Sequence, residues 1–257
     1  MSRLSKALPL ALALAALGVF SSSCSSSSPA SVRFVQAIQD AGPLDINISG
    51  ASATSTKQFT DIAFLGVQPN QPGYTSVPSG SDMIEGFVTG TTTVAFSDNA
   101  TLSSAAQYTL IATGFSQTGM IKGSNVVLLQ ISDNIPAPPL ADVAFRVINA
   151  SPSGPSGTPG AVDVYILLNP TTAPEGNPTI SSLSYTQASK YVSIPNNPNN
   201  DTTPPGFTVY VTAAGTMQPV ISQPIYLPDG AVRTLVLTDI QNGTKMNSSY
   251  LELSDLN

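Results

Sequence analysis

Few side chains in this 257-residue chain can do chemistry. There is no histidine, so the Ser-His-Asp arrangement, the commonest general base at neutral pH and the usual zinc ligand are all missing. Two carboxylate pairs could in principle run glycoside hydrolysis, Asp82 with Glu85 and Asp229 with Asp239. Both pairs are expected in turns or at strand ends, where most acids are solvated surface groups. Asp98 with Asn99, Asp133 with Asn134, and Asn199 to Asp201 offer oxygen ligands for calcium. None has the spacing of a known calcium loop, and such residues also favour turns for local hydrogen bonding. No glycine-rich phosphate loop precedes a helix. This inventory predicts a protein without catalysis, cofactor or metal.

Binding is the remaining class. Tyr165, Tyr210 and Tyr250 fall on the strand phase opposite Val164, Val209 and Leu251, so they are expected to face solvent as stacking platforms for a carbohydrate. The absence of tryptophan weakens that reading, and scattered surface tyrosines need no ligand. Two Arg–Asp combinations also stand out, Arg33 with Asp45 and Arg146 with Asp163. Each reads as a cross-strand ion pair on a solvated face, contributing about 0.2–1 kcal/mol. On that reading Arg33→Ala barely matters, whereas Asp at Phe34 or Val147 buries an unpaired charge and unfolds the protein.

The stretches that carry these pairs organise the rest. VRFVQAIQDAGPLDINI, from Val32 to Ile48, returns in altered form as FRVINASPSGPSGTPGAVDVYI, from Phe145 to Ile166. Read as hairpins, both copies accept the same register. With Arg33 opposite Asp45, Val32 faces Ile46 and Phe34 faces Leu44; with Arg146 opposite Asp163, Phe145 faces Val164 and Val147 faces Val162. One side is then apolar in each copy, and a one-residue slip would turn that set outward. The order of later segments also repeats. TDIAF corresponds to SSLSY, GYTSVP to KYVSIP (Tyr74 to Tyr191, Pro78 to Pro195), EGFVTG to GFTVYVTAAG, and YTLIATG to RTLVLTD. The run NVVLLQI suits a central or well-covered strand. Seven or eight strands in about 105 residues match the count of an immunoglobulin-like sandwich. The expected fold is therefore all-β, two tandem antiparallel β-sandwich domains at 31–135 and 141–257. A stiff Pro136–Leu140 linker joins them and limits their relative angles.

Composition agrees. Hydrophobic residues make up 41 % and charged residues only 9 %, with 22 Pro and 19 Gly, a profile of short strands between turns. The formal charge is −6, and without Arg3 and Lys6 seven basic side chains stand against fifteen acidic ones. Nucleic acid and a polybasic membrane contact are both disfavoured. The long polar loop Asn196–Pro205 could carry function or be a flexible insertion.

The first residues read as an export signal: Arg3 and Lys6, an apolar run from Ala7 to Phe20 too short to span a bilayer comfortably, then SSSC. Cys24 is the chain's single cysteine and cannot form an internal disulfide. Its place resembles a bacterial lipoprotein signal, although Ser21 stands where the pattern favours Leu. The resemblance implies signal residues 1–23, lipidation of Cys24, a tether at 24–30 reaching at most about 20 Å, and attachment to the cell envelope, with the outer membrane suggested by Ser25. The alternative is ordinary cleavage and secretion.

VRFVQA and FRVINASP, each followed by LDINI or VDVYI, and the later YTLIATG are similar to the bacterial family called domain of unknown function 4397. The second copy is closer, through Arg146, Asn149, Ala150, Ser151, Pro152, Val162, Asp163 and Tyr165. In the first, Gln36, Ile38 and Gln39 replace the Asn, Ser and Pro. The resemblance implies exported β-sandwich modules, often in tandem on lipoproteins, over nearly all of the mature chain, and says nothing of activity. The sequence thus predicts a lipid-anchored envelope protein contacting an envelope protein or a polysaccharide.

Overall fold

The computed structural model describes residues 28–50, 56–116, 125–154, 160–168, 174–196, 206–242 and 245–256. Cys24, the signal segment and Asn199–Asp201 lie outside the described residues. Among those described, the regular elements are all strands.

The chain's first half carries β1 (Ala30–Ile38), β2 (Leu44–Gly50), β3 (Thr56–Ile62), β4 (Val67–Gln68), β5 (Thr75–Val77), β6 (Gly80–Val88), β7 (Val94–Leu102), β8 (Gln107–Gly114) and β9 (Val127–Ser132). Its second half carries β10 (Asp142–Asn149), β11 (Val162–Leu168), β12 (Ile180–Leu183), β13 (Val192–Pro195), β14 (Gly206–Ala213), β15 (Pro219–Tyr226), β16 (Val232–Asn242) and β17 (Lys245–Leu256). Four sheets result. The first half gives β4-β1-β8-β9, with β5 also on β1, and β3-β2-β6-β7; the second gives β13-β10-β16-β17 and β12-β11-β14-β15. The two halves thus share one strand plan, and every described sheet stays within its half. Pairing is antiparallel except for β1 with β8 and β10 with β16, which are parallel.

The strand plan corrects the hairpin reading. β1 and β2 sit in different sheets, as do β10 and β11. A five-residue connection such as Gln39–Pro43 can close a hairpin or cross from one sheet to the facing one, and period-2 alternation looks the same in both cases. The apolar phase of these strands faces the cores as their alternation predicts. Val32, Phe34, Leu44, Ile46 and Ile48 meet Ile84, Phe96 and Leu110 in one core between the first two sheets. The matching positions behave alike in the second half, where Phe145, Val147, Val162 and Val164 pack with Phe207 and Leu235. Phe34 stacks on Phe96 with ring centroids 6.3 Å apart, and Phe145 meets Phe207 edge to face at 5.5 Å.

The opposite phase of β1 and β10 is not solvated. Val35 and Ala37 of β1, Ile111 and Leu129 pack against Ile148, Ala150, Val236 and Leu253, forming a third core between the halves. The described sheets therefore stack as four layers, with β1 and β10 each buried on both faces. This explains the apolar run at Val127–Ile131: β9 is an edge strand, but its face is covered by the other half. The halves are held by packing as well as by the Pro136–Leu140 connection.

Candidate interaction site at the junction of the halves

Among the described residues, Arg33 is the largest fully buried side chain, at 0 % exposure. It lies on the face of β1 that meets the other half, beside Thr109, its partner in the β1–β8 ladder. Its Nε donates to Thr109 Oγ1 at 2.7 Å, its Nη1 to the Ser254 carbonyl at 3.3 Å, and its Nη2 to Asp255 Oδ1. Asp133 stands 3.8 Å away. Arg146 repeats the pattern in the opposite direction. Its Nε donates to Thr234 Oγ1 at 3.0 Å, its Nη1 to the Ser132 carbonyl at 3.2 Å, and its Nη2 to Asp133 Oδ1 at 2.7 Å. Each arginine is thus braced by its own half and reaches an aspartate of the other.

The aspartates are held in the same reciprocal way. Asp133 Oδ2 accepts from Thr109 at 2.6 Å and from the Tyr74 hydroxyl at 2.9 Å. Asp255 Oδ2 accepts from Thr234 at 2.6 Å and from the Tyr191 hydroxyl at 3.0 Å. The tyrosine rings cover the guanidiniums, Tyr74 at 5.2 Å from Arg33 and Tyr191 at 4.7 Å from Arg146. Eight side chains so form one buried network related by a pseudo-two-fold axis between the halves. Burial alone would lower the Arg33 pKa, but the carboxylates of Asp255 and Asp133 outweigh it and hold it raised. Burial pushes the Tyr74 and Tyr191 phenols well up, and the adjacent carboxylates add to this. Both stay neutral hydrogen-bond donors.

The solvated Arg–Asp pair is therefore corrected on both sides. Asp45 and Asp163 are 3 % and 5 % exposed, and each ties an irregular strand residue to a turn. Asp45 Oδ1 accepts from the Asp61 backbone N–H at 2.9 Å and the Thr89 hydroxyl at 3.1 Å. Asp163 accepts from the N–H groups of Ser182 and Gly215, both at 2.7 Å. Asp61 and Ser182 have positive φ of 53° and 51°. The aspartate thus pins a left-handed residue in each half. The NASPSG stretch is also structural: Asn149 Nδ2 donates to the Leu183 and Gly160 carbonyls, while the Ser151 hydroxyl and the Ser153 N–H donate to Asp239 at 2.5 and 2.7 Å.

The tyrosine platform is not present as expected. Tyr165 and Tyr210 are direct cross-strand partners, but they are 3 % and 4 % exposed. Alternation names the face of a strand and not what covers it. Tyr250 is half-buried on a different sheet, packed against the second half's core, while its neighbour Leu251 faces the junction. The carboxylate pairs do not converge. Asp82 points into the first half and Glu85, three residues along the same strand, to the other face. Asp229 accepts from Asn196 Nδ2 at 2.7 Å, away from the Ser151–Asp239 contact. Asp98 Oδ1 accepts from the Asn99 N–H on β7, and Asp133 belongs to the junction network. Among the described residues, no group of three or more His, Cys, Asp or Glu could hold a metal ion.

Sequence reasoning missed Thr109, Thr234, Tyr74, Tyr191, Asp133 and Asp255 as one unit. The signal was the recurrence of polar residues inside otherwise apolar strands: Thr in YTL and RTL, Tyr before each TSVP-like segment, and Ser-Asp at 132–133 and 254–255.

Residues 30–156 match the family model described as "Domain of unknown function (DUF4397)". The DUF4397 match begins with β1, runs through all strands of the first half, and ends just beyond the Asn149–Gly154 turn after β10. It contains both arginines of the network, with Thr109, Tyr74 and Asp133, but not Thr234, Tyr191 or Asp255. It does not extend over the rest of the second half, which was also expected to resemble the family. No curated protein matches the sequence. Among solved structures, the chain is similar to the Bacillus anthracis TIE protein, at 8 % identity and a TM-score of 0.24. That likeness covers 82 % of this chain and 34 % of the other, so the chain spans about a third of that protein's length. It is also similar to a "putative adhesin" from Bacteroides ovatus, at 10 % identity, a TM-score of 0.23, and 87 % and 95 % coverage of the two chains. A "putative cell adhesion protein" from Bacteroides uniformis shows 11 % identity, a TM-score of 0.17, and coverage of 89 % and 99 %. Likenesses at these TM-scores carry no functional argument.

Proposed function

We propose that this chain is a non-catalytic interaction module of the cell envelope, exported and held by a lipid on Cys24. Its two tandem domains, 31–135 and 141–257, act as one rigid unit. The observation that supports it most is the reciprocal Arg–Asp network with the apolar core around it. That junction commits the best-placed charged and hydroxyl side chains to holding two sandwiches at one angle. A fixed angle presents the loops and sheet edges of both halves to a partner as one preorganised surface, which lowers the ordering cost of binding. The partner class is an envelope protein or an extracellular polymer.

Two measurements test this reading. Intact mass of the mature protein from the membrane fraction of its native host should show a chain beginning at Cys24 with acyl mass; a soluble, unacylated chain would sink the anchoring. Photo-crosslinkers placed at exposed positions on intact cells should yield adducts with a discrete partner. Their absence from every position would remove the interaction role.

A further inference from the structure

The pseudo-two-fold symmetry of the junction is broken at one place. In the first half, Phe34 pairs with Gln68 and Val35 with Val67. The second half has the matching contacts, Ile148 with Ala188 and the Ser189 N–H to the Val147 carbonyl. Ser189 therefore corresponds to Gln68, and Tyr191 to Tyr74. Between those landmarks the first half has five residues, Pro69 to Gly73, and the second has Lys190 alone. The longer loop places Gln71 on the edge of β17. The Gln71 side chain accepts from the Ser254 N–H and donates to the Glu252 carbonyl at 3.5 Å, as a neighbouring strand's peptide group would.

The corresponding edge belongs to β9. Ser132 faces Tyr108 across the ladder as Ser254 faces Arg233, and Gln130 faces Leu110 as Glu252 faces Leu235. The Asp133 N–H donates inward, to the Gln107 carbonyl. By ladder alternation, the Ser132 N–H and the Gln130 carbonyl point off the edge. Where Gln71 would have its counterpart, there is an open cleft of about 440 Å³. Ser132, Asn134, Arg146, Ala188, Lys190 and Tyr191 are among its lining residues. Gln130's own side chain is turned away, making two bonds with the Thr101 backbone.

We propose that this cleft is a binding notch for a turn segment of a partner polypeptide. The segment's glutamine or asparagine carboxamide would bridge the Ser132 N–H and the Gln130 carbonyl, as Gln71 bridges Ser254 and Glu252 on the other side. This rests on the interaction-module reading and names its partner chemistry. The molecule itself supplies the template, because a Pro-Asn-Gln-Pro-Gly turn already fits the equivalent edge beside the same Arg, Tyr and Ser. Strand edges with unpaired N–H and C=O groups are a recurrent docking surface for peptides.

The probe is a labelled peptide with the sequence of Gln68–Tyr74, titrated against the purified full chain by fluorescence anisotropy. The same peptide with leucine in place of the residue corresponding to Gln71 is the control. Binding is expected to weaken about tenfold or more in the control, as loss of two hydrogen bonds implies. Hydrogen exchange at the Ser132 amide should slow with the first peptide only. Replacing Lys190 by Pro-Asn-Gln-Pro-Gly should abolish binding by filling the notch from within. If that graft does not fold, Ala188→Trp blocks the same space. Failure of the peptide to bind, equal binding of both peptides, or binding unchanged by a folded blocking variant overturns the proposal. Binding of a polyanion such as heparin, lost on Lys190→Gln, with no peptide binding would reassign the cleft and also overturn it. The photo-crosslinking experiment is independent: adducts elsewhere on the surface would leave the broader function standing while the notch fails.

Discussion

Arg33→Ala separates the buried junction from a solvated ion pair most sharply. The substitution removes the Arg33 guanidinium from Asp255, Thr109 and the Ser254 carbonyl at a site with 0 % exposure. Asp255 keeps the Thr234 and Tyr191 hydroxyls but loses its cation, and Tyr74 loses the charge over its ring. Removing one partner of a buried pair costs about 3–5 kcal/mol, because a charge is left uncompensated. An exposed cross-strand pair would cost about 0.2–1 kcal/mol. Since domains are stable by only about 5–15 kcal/mol, the difference is easily read. We expect a loss of about 4 kcal/mol, taken from the middle of the buried-pair range. The protein lacks tryptophan, so urea unfolding is best followed by far-ultraviolet circular dichroism. Asp255→Leu and the double variant complete the cycle, and the double variant should recover much of the loss because no lone charge remains. A single-variant loss below about 1 kcal/mol, or a coupling energy near zero, would refute the argument that this pair is a buried cross-half contact.

Three further outcomes follow from particular contacts. Asp82 is 1 % exposed, neither carboxylate oxygen has a hydrogen-bond partner, and burial raises its pKa. A raised folded-state pKa means that its contribution is fully present below the ordinary aspartate range, about 4, and is lost as pH rises through the folded value. Asp82→Asn should therefore gain thermal stability over the parent on going from acidic to neutral pH, and a constant Tm difference across that series would contradict it. A Cβ on Gly86 would lie 2.2 Å from Phe96 Cε1, in a ring already stacked on Phe34, so Gly86→Ala should cost about 1–3 kcal/mol by overpacking in urea unfolding. Asp163→Ala should cost a similar amount by stranding the Ser182 and Gly215 N–H groups. Faster hydrogen exchange confined to those two amides would locate the damage at β12 and the turn after β14.

The all-β class and the inner face of each strand were legible because they rest on local patterns. Val32 and Phe34 flank Arg33, and Phe145 and Val147 flank Arg146, and that period of two places them in cores wherever the strand pairs. The repetition of segments in the same order predicted a strand plan that both halves follow. Local pattern carries no information about what covers the second face. Arg33 and Arg146 occupy the phase that alternation assigns outward, and on an isolated sandwich they would be solvated. Their partners Asp255 and Asp133 come from the opposite half, and Arg33 and Asp255 are 222 residues apart. Neighbouring residues in sequence cannot specify a pairing of that kind. The connection from β1 to β2 poses the same problem, since its length fits a hairpin and a crossing between sheets equally well. Packing decided it: two sheets per half enclose a core, and the face left over on each half could be buried only against the other. Burial there favours partners for the charged groups, which the reciprocal Arg, Asp, Thr and Tyr contacts provide.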